Sequence, residues 1–202
     1  ADGGYQCICT CGKIRHGGIN PQSDPAAGSG HDHGEGWCKT VSKSMVSVVT
    51  GGCGFIGSHM VDRLLKEGHE VRVIDNWTTG RPENLGHQKD NKNLTVYHMD
   101  IRNKAEIQPV FKGADYVFHF AALADIVPSI QKPEEYYTSN VLGTFNVVEC
   151  AKDGNIKKLV YAASSSCYGI PDTYPTREDA EIRPQYPYAL TKRLGEETVL
   201  HW

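Results

Sequence analysis

The stretch MVSVVTGGCGFIGSHMVDRLL, residues 45–65, decides the fold. It opens on a short β-branched run, which suits a strand buried on both faces. It closes with Ile56, Met60, Leu64 and Leu65 at the spacing of one helix face, predicting a helix over about 55–67. Between the two stand Gly51, Gly54 and Gly57, in the pattern G-x-x-G-x-x-G. In a strand-to-helix turn of this kind the first glycine permits the reversal. The second lets backbone approach a pyrophosphate, and the third lets the helix pack closely on the strand. The helix start then offers free N–H groups and the positive end of its dipole to the phosphates. An ordinary tight turn can carry the same glycines, so the surroundings must decide.

They favour a dinucleotide. HEVRVID (69–75) reads as a second strand, and Asp75 ends it 18 residues after Gly57. A carboxylate at that place accepts hydrogen bonds from the adenosine ribose and repels a 2′-phosphate, so NAD is expected rather than NADP. LTVYHMD (94–100), DYVFHFAA (115–122) and KKLVYAASS (157–165) read as three more strands. Helices are predicted over about 103–112 and over 133–152, the second opened by Pro133 at its first position. Strands alternating with helices predict an α/β fold: a Rossmann-type doubly wound parallel sheet over 45–202, with ligands at the strand carboxyl ends.

Residues 1–44 read differently. They contain no Leu and no Phe, hold 9 of the 21 glycines, and show neither helical nor strand periodicity. So few large apolar side chains cannot offset the entropy of ordering, and a disordered or extraneous leader is expected. A zinc site built from Cys7, Cys9, Cys11 and Cys38 with His16, His31 or His33 is the sharper alternative. The Cys-x-Cys spacing argues against it, because zinc knuckles use two to four intervening residues, and no metal is expected. The remaining cysteines, Cys53, Cys150 and Cys167, stand alone, as free thiols of a reducing compartment do, so a cytoplasmic protein is expected. A formal charge of −3 excludes a strongly basic nucleic-acid binder and gives no attraction to anionic membrane. No apolar run approaches the roughly 18–20 residues of a membrane-spanning helix.

Chemistry-bearing residues gather toward the C-terminus. In PQYPYALTKRLGEE, Pro187 can start a helix that puts Tyr188 and Lys192 one turn apart on one face. A free tyrosine, with a pKa of about 10, is no base at neutral pH. A lysine one turn away, together with a nicotinium cation, favours the phenolate. A surface tyrosine lying along a lysine stem would give the same spacing. Three hydroxyls, Ser164, Ser165 and Ser166, follow the fifth strand, where they could meet a substrate oxygen; a serine-rich loop start is the plainer alternative.

Taken in order, TGGCGFIGSHMVDRLL, VIDNW, Asp100-Ile101, HFAALADIVPSI, NVLGT, YAASSSCYG and YALTK resemble the extended short-chain dehydrogenase/reductase family. Within it they are most similar to the NAD-dependent nucleotide-sugar epimerases of the UDP-glucose and UDP-N-acetylglucosamine 4-epimerase type. The resemblance covers 45–202; residues 1–44 have no counterpart in it. It implies that Gly51, Gly54, Phe55, Ile56 and Gly57 cradle the pyrophosphate and that Asp75 and Asn76 hold the adenosine ribose. Asp100 and Ile101 would sit at the adenine, and Phe120, Ala121 and Ala122 would line the cofactor cleft. Tyr188 would be the base, Lys192 would bind the nicotinamide ribose, and Ser164 would be the hydroxyl partner.

Ser165 and Ser166 would then face the sugar. Dehydratases of the family carry an Asp-Glu pair at these two positions, and decarboxylases a Glu at the second. A hydroxyl of ordinary acidity does neither job, which leaves epimerisation at C4 through a transient 4-keto sugar. A dehydrogenase or reductase acting at the same carbon, and a non-catalytic NAD-binding module, remain as alternatives. The family also implies a second, substrate-binding domain from a longer C-terminal half. The 202 residues are therefore expected to be an N-terminal fragment, inactive alone, of a protein that forms a homodimer through the helix after Pro133 and the Tyr188 helix.

Overall fold

The structure, a computed structural model, describes the short strand Gln6–Ile8 and residues 44–202. Six parallel strands form one sheet. In chain order they are β1 (Gln6–Ile8), β2 (Val46–Thr50), β3 (Glu70–Asp75), β4 (Leu94–His98), β5 (Tyr116–His119) and β6 (Lys158–Ala162). Their spatial order is β1-β6-β5-β2-β3-β4. The chain therefore moves outward from β2 through β3 to β4, then returns to β5 on the other side of β2. A crevice opens at that reversal, at the carboxyl ends of β2 and β5, where doubly wound sheets bind their ligands.

The helices α1 (Phe55–Lys66), α2 (Lys104–Phe111), α3 (Ile126–Gln131), α4 (Pro133–Tyr137), α5 (Gly143–Asp153) and α6 (Pro187–His201) cover the two faces. One apolar core joins Val61 and Leu64 of α1 to Val49, Val71 and Val73 of the sheet. The other joins Ile107 and Phe111 of α2, Val147 and Val148 of α5 and Val199 of α6 to Val48, Val117 and Leu159. β2 is central and buried along its whole length, as its unbroken β-branched run requires. Each fully buried valine there contributes about 1.5–3 kcal/mol.

Four differences from the sequence reading concern the elements. The strands stop earlier than their apolar runs, at His98, His119 and Ala162, and the residues released become loops at the crevice. The buried face of α1 is Gly57, Ser58, Val61 and Leu64, with Ile56 turned to solvent. The reason is steric: only the glycine face can approach the turn, and that fixes the helix rotation. The expected helix over 133–152 is α4 and α5 joined by one π-helical turn, Thr138–Leu142, which pushes Asn140 inward. Lastly, Gln6–Ile8 pairs with Val160–Ala162, so three residues of the expected leader extend the sheet edge beside β6. Of the zinc alternative, Cys7 stands in β1, and its other residues lie outside the described residues with the remainder of the leader.

Candidate active site

A cleft opens at the reversal. Gly51 and Gly54 form one wall, Asp75, Asn76 and Ile101 another, and Phe120, Ala121 and Ala122 a third. All eight were singled out from the sequence. The glycine turn is built as a cradle. Gly51 has φ of +70°, and a Cβ there would lie 2.6 Å from the Ala121 nitrogen. At Gly57 a Cβ would lie 2.1 Å from the Gly51 carbonyl oxygen, so the helix start rests directly on the turn. Gly54 caps α1 without a side chain, and the first turn of α1 holds no acidic residue. Nothing there competes with an incoming anion for the free N–H groups. Phe55, at 80% exposed, and Ile56 point their side chains to solvent, so only their backbone can serve a pyrophosphate.

Asp75 ends β3 only 7% exposed. Its carboxylate accepts from the Cys53 N–H at 2.9 Å and the Trp77 N–H at 2.8 Å, which ties the glycine turn to the β3 terminus. A Cβ on Gly80 would sit 2.7 Å from both carboxylate oxygens, so the following turn closes over Asp75. Burial, and next the Asp75 charge, push the Cys53 thiol up to about 11; it stays protonated behind the turn. Asp100 stands behind the cleft wall. It accepts from the Asn76 amide at 2.9 Å and pairs with Arg102 at 2.7 Å. The Arg102 hydrogen bond holds its carboxyl down to about 2.

Outside the residues that line this cleft, Pro187 occupies the first position of α6, and Tyr188 and Lys192 follow one turn apart. Lys192 is 5% exposed, with its ammonium 4.1 Å from the centre of the Tyr161 ring. Tyr188 lies edge-on to Tyr136 at 6.4 Å and borders an open depression with Tyr186, Asp125, Val127 and Pro128. The Tyr136 hydroxyl donates to the Ala124 carbonyl, holding the rim of that depression. The serines form a short turn, Ser165–Tyr168, capped by Ser164, whose Oγ accepts from the Ser166 N–H and lies 2.6 Å from the Ser166 Oγ. Cys167 anchors this turn to α6 by donating its thiol hydrogen to the Ala189 carbonyl at 3.6 Å. Ser165 is exposed, and Ser166 is half-buried.

Several lining residues escaped the sequence reading: Thr78, Thr79, Gly80, Met99, Leu123 and Ser139. Most sit in turns just after a strand end, and a count of residues beyond Asp75 and His119 would have reached them. Among the described residues no helix is long and apolar enough to cross a membrane.

Fold and cleft together define a dinucleotide-binding domain of the doubly wound class. Residues 47–202 match the NAD dependent epimerase/dehydratase family, and the chain belongs to it. It is 36% identical over 157 residues to a UDP-glucose 4-epimerase of Bacillus subtilis, over 76% of this chain and 46% of that enzyme. A UDP-N-acetylglucosamine 4-epimerase from Methanobrevibacter ruminantium M1 superposes with a TM-score of 0.72 at 38% identity, over 77% of this chain and 49% of that one. A dTDP-glucose 4,6-dehydratase from Streptomyces venezuelae superposes equally well, with a TM-score of 0.72 at 32% identity, over 76% and 50%. The chain spans about half the length of the curated relatives it matches.

Proposed function

We propose that this protein epimerises a nucleotide sugar, of the UDP-sugar class, at C4 through a transient 4-keto sugar, with bound NAD. The observation that carries the reading is the phosphate cradle at Gly51, Gly54 and Gly57 together with Tyr188 and Lys192 one turn apart on α6, a helix linked to the cleft residue Leu123 through the Asn140 amide. Backbone N–H groups of residues 54–57 would hold the pyrophosphate, and Asp75 and Asn76 the adenosine ribose, with Asp100 and Ile101 beside the adenine. Phe120, Ala121 and Ala122 would flank the cofactor's middle. When bound, NAD supplies a reversible acceptor for the hydride on C4.

The work of this chain's residues is proton transfer and orientation. Tyr188 takes the proton of the C4 hydroxyl, and the Lys192 ammonium stabilises the phenolate beside it. Ser164 hydrogen-bonds the same sugar oxygen and fixes its direction. Tyr188 would keep that proton while the keto sugar turns over within the site and would then return it to the C4 oxygen. Similarity to a dehydratase does not lead to elimination here, because Ser165 and Ser166 carry no group able to move a proton at C5 or C6.

The finer features go with this reading. The protein is proposed to be a cytoplasmic homodimer. Buried free thiols at Cys53, Cys150 and Cys167 support the first point, and exposed Tyr137, Leu142, Phe145 and Leu190 on α4–α6 the second. The test uses the protein as its gene encodes it. UDP-glucose, UDP-N-acetylglucosamine and UDP-glucuronate are each incubated with it, and both C4 epimers are followed by proton NMR while absorbance at 340 nm is recorded. Both epimers with no net NADH are expected, and Tyr188→Phe abolishes their interconversion. Net NADH accumulation overturns the reading.

A further inference from the structure

His119 ends β5 wholly inside the protein, and nothing in the reaction outlined above uses it. Its ring bridges two threonines: Nδ1 lies 2.6 Å from the Thr50 Oγ1 and Nε2 lies 2.9 Å from the Thr144 Oγ1. The direction of each bond follows from its neighbours. Thr144 has one hydroxyl proton, which it donates to the Asn140 carbonyl at 2.6 Å. Towards His119 it can therefore only accept, so Nε2 carries a hydrogen. Burial, reinforced by the Lys192 charge, holds the ring down to about 3, so it is neutral and Nδ1 is an acceptor. Thr50 then donates to Nδ1, and its free lone pair receives the Ala121 N–H at 3.3 Å. One ordered line of hydrogen bonds runs from Ala121 through Thr50, His119 and Thr144 to Asn140.

Both ends of that line reach the candidate site. Ala121 is part of the cofactor-cleft wall. Asn140 sits in the π-helical turn, and its amide accepts from the Leu123 N–H at 2.7 Å and donates to the Leu123 carbonyl at 3.0 Å. The same amide donates to the Thr191 Oγ1 at 3.1 Å, and Thr191 donates to the Tyr188 carbonyl at 2.9 Å. Thr191 is the residue before Lys192. The helix bearing the tyrosine and lysine is thus tied to the cofactor wall along two lines that meet at Asn140: its amide reaches Leu123 directly, and its carbonyl reaches Ala121 through Thr144, the buried imidazole and Thr50.

We propose that His119 is a positioning residue: its neutral, Nε2-protonated ring sets the register between the cofactor-cleft wall and the helix that carries Tyr188 and Lys192. The inference rests on the epimerase reading. It divides His119 into two functional halves, because Nδ1 serves the cofactor side and Nε2 the α5–α6 side. An asparagine amide reaches about as far as Nδ1, and a glutamine amide about as far as Nε2.

The experiment compares His119→Asn with His119→Gln in the protein as its gene encodes it, reading NAD affinity by calorimetry and kcat at saturating NAD. His119→Asn keeps the Thr50 bond; its NAD affinity stays within threefold while kcat falls at least tenfold. His119→Gln keeps the Thr144 bond; its NAD affinity falls at least tenfold while kcat at saturation stays within threefold. A purely structural role lowers melting temperature in both variants and moves kcat and affinity together, and that result overturns the proposal. Should either variant fail to fold, Thr144→Val removes the same link from the other side and Thr144→Ser restores it. Imidazole nitrogen-15 NMR of the wild type must also show the Nε2–H tautomer, and an Nδ1–H or charged ring at pH 7 overturns the proposal. Failure of the functional reading looks different: a wild type that neither binds NAD nor interconverts C4 epimers removes the role with it.

Discussion

Replacing Gly57 by alanine tests the cradle at its tightest point. The new methyl would lie 2.1 Å from the Gly51 oxygen and 2.8 Å from both the Gly51 carbonyl carbon and the Gly52 Cα. All three are backbone atoms, so no side chain can swing aside. A carbon-to-oxygen contact settles at about 3.3 Å, and the helix start must therefore move by roughly 1.2 Å. The turn cannot retreat instead, because the Gly51 N–H is bonded to the Ile74 carbonyl at 2.8 Å and Ala121 stands against Gly51. Overpacking of this size costs about 1–3 kcal/mol, of which the better helix propensity of alanine returns up to about 1. The larger effect falls on ligand binding. A shift of that size stretches an N–H to phosphate bond from about 2.9 Å past hydrogen-bonding distance, and two such charge-assisted bonds are worth about 1.5–3 kcal/mol each. NAD affinity should fall at least a hundredfold while the protein still unfolds cooperatively. Calorimetric titration with NAD and a urea melt measure the two quantities. Gly86→Ala, where a methyl would meet nothing within 4 Å, is the control. A Gly57→Ala protein that binds NAD within threefold of wild type would refute the cradle.

Other substitutions probe the remaining walls. Asp75→Asn keeps one acceptor but turns an amide N–H₂ toward a backbone N–H, costing about 1–3 kcal/mol in a urea melt. It should also narrow the preference for NAD over NADP, and unchanged discrimination in paired titrations would exclude a ribose-binding role. His119 makes stability depend on pH. The folded ring takes a proton only near 3, whereas an unfolded histidine does so near 6.5. The unfolded chain therefore binds more protons between those values. This contribution is complete above about pH 6.5 and falls by about 2 kcal/mol at pH 5, seen as the difference between wild-type and His119→Asn urea melts. Arg102→Gln should raise the Asp100 carboxyl from about 2 toward its ordinary range, which carbon-13 NMR reads directly. Because Arg102 is half exposed, the pair contributes only about 1 kcal/mol; it is present above about pH 4 and is lost as pH falls through about 2.

Much of this arrangement is legible in the sequence, and the reasons are local. β2 announces itself because a central parallel strand is apolar on both faces, and the glycines that follow it gain their meaning from Asp75 at the end of the next strand. Pro187 sets the start of α6, and from that start the positions of Tyr188 and Lys192 follow by helix geometry alone. What stayed hidden was tertiary. The rotation of α1 depends on which face meets the turn, and Ile56 looks as apolar as Val61 until Gly57 is seen to be the contact. The π-helical turn is invisible because TSNVL continues an ordinary helical pattern, while inward placement of Asn140 depends on three hydrogen bonds to two residues distant in the chain, Leu123 and Thr191. Thr50, His119 and Thr144 read as unremarkable polar residues at element ends; only their convergence makes them a network. Thr78, Thr79 and Gly80 belong to a turn with no periodicity, so only their place just after the end of β3 marks them as cleft residues.

The strand order also sets a sequence of events for the folding chain. β2 meets β3 across 24 residues, Ser47 to Val71, but meets β5 across 69, Ser47 to Tyr116. Closing the shorter loop is faster, so β2, α1, β3 and β4 can assemble while later segments are still unstructured. That early unit already holds the glycine turn and Asp75. α6 packs on α3, α4 and α5 and on the Ser165–Tyr168 turn, a surface complete only once β5 and β6 have joined. The loop lengths thus allow the glycine turn and Asp75 to be in place before α6, and NAD taken up early would favour, by mass action, the chains in which the rest of the sheet closes correctly.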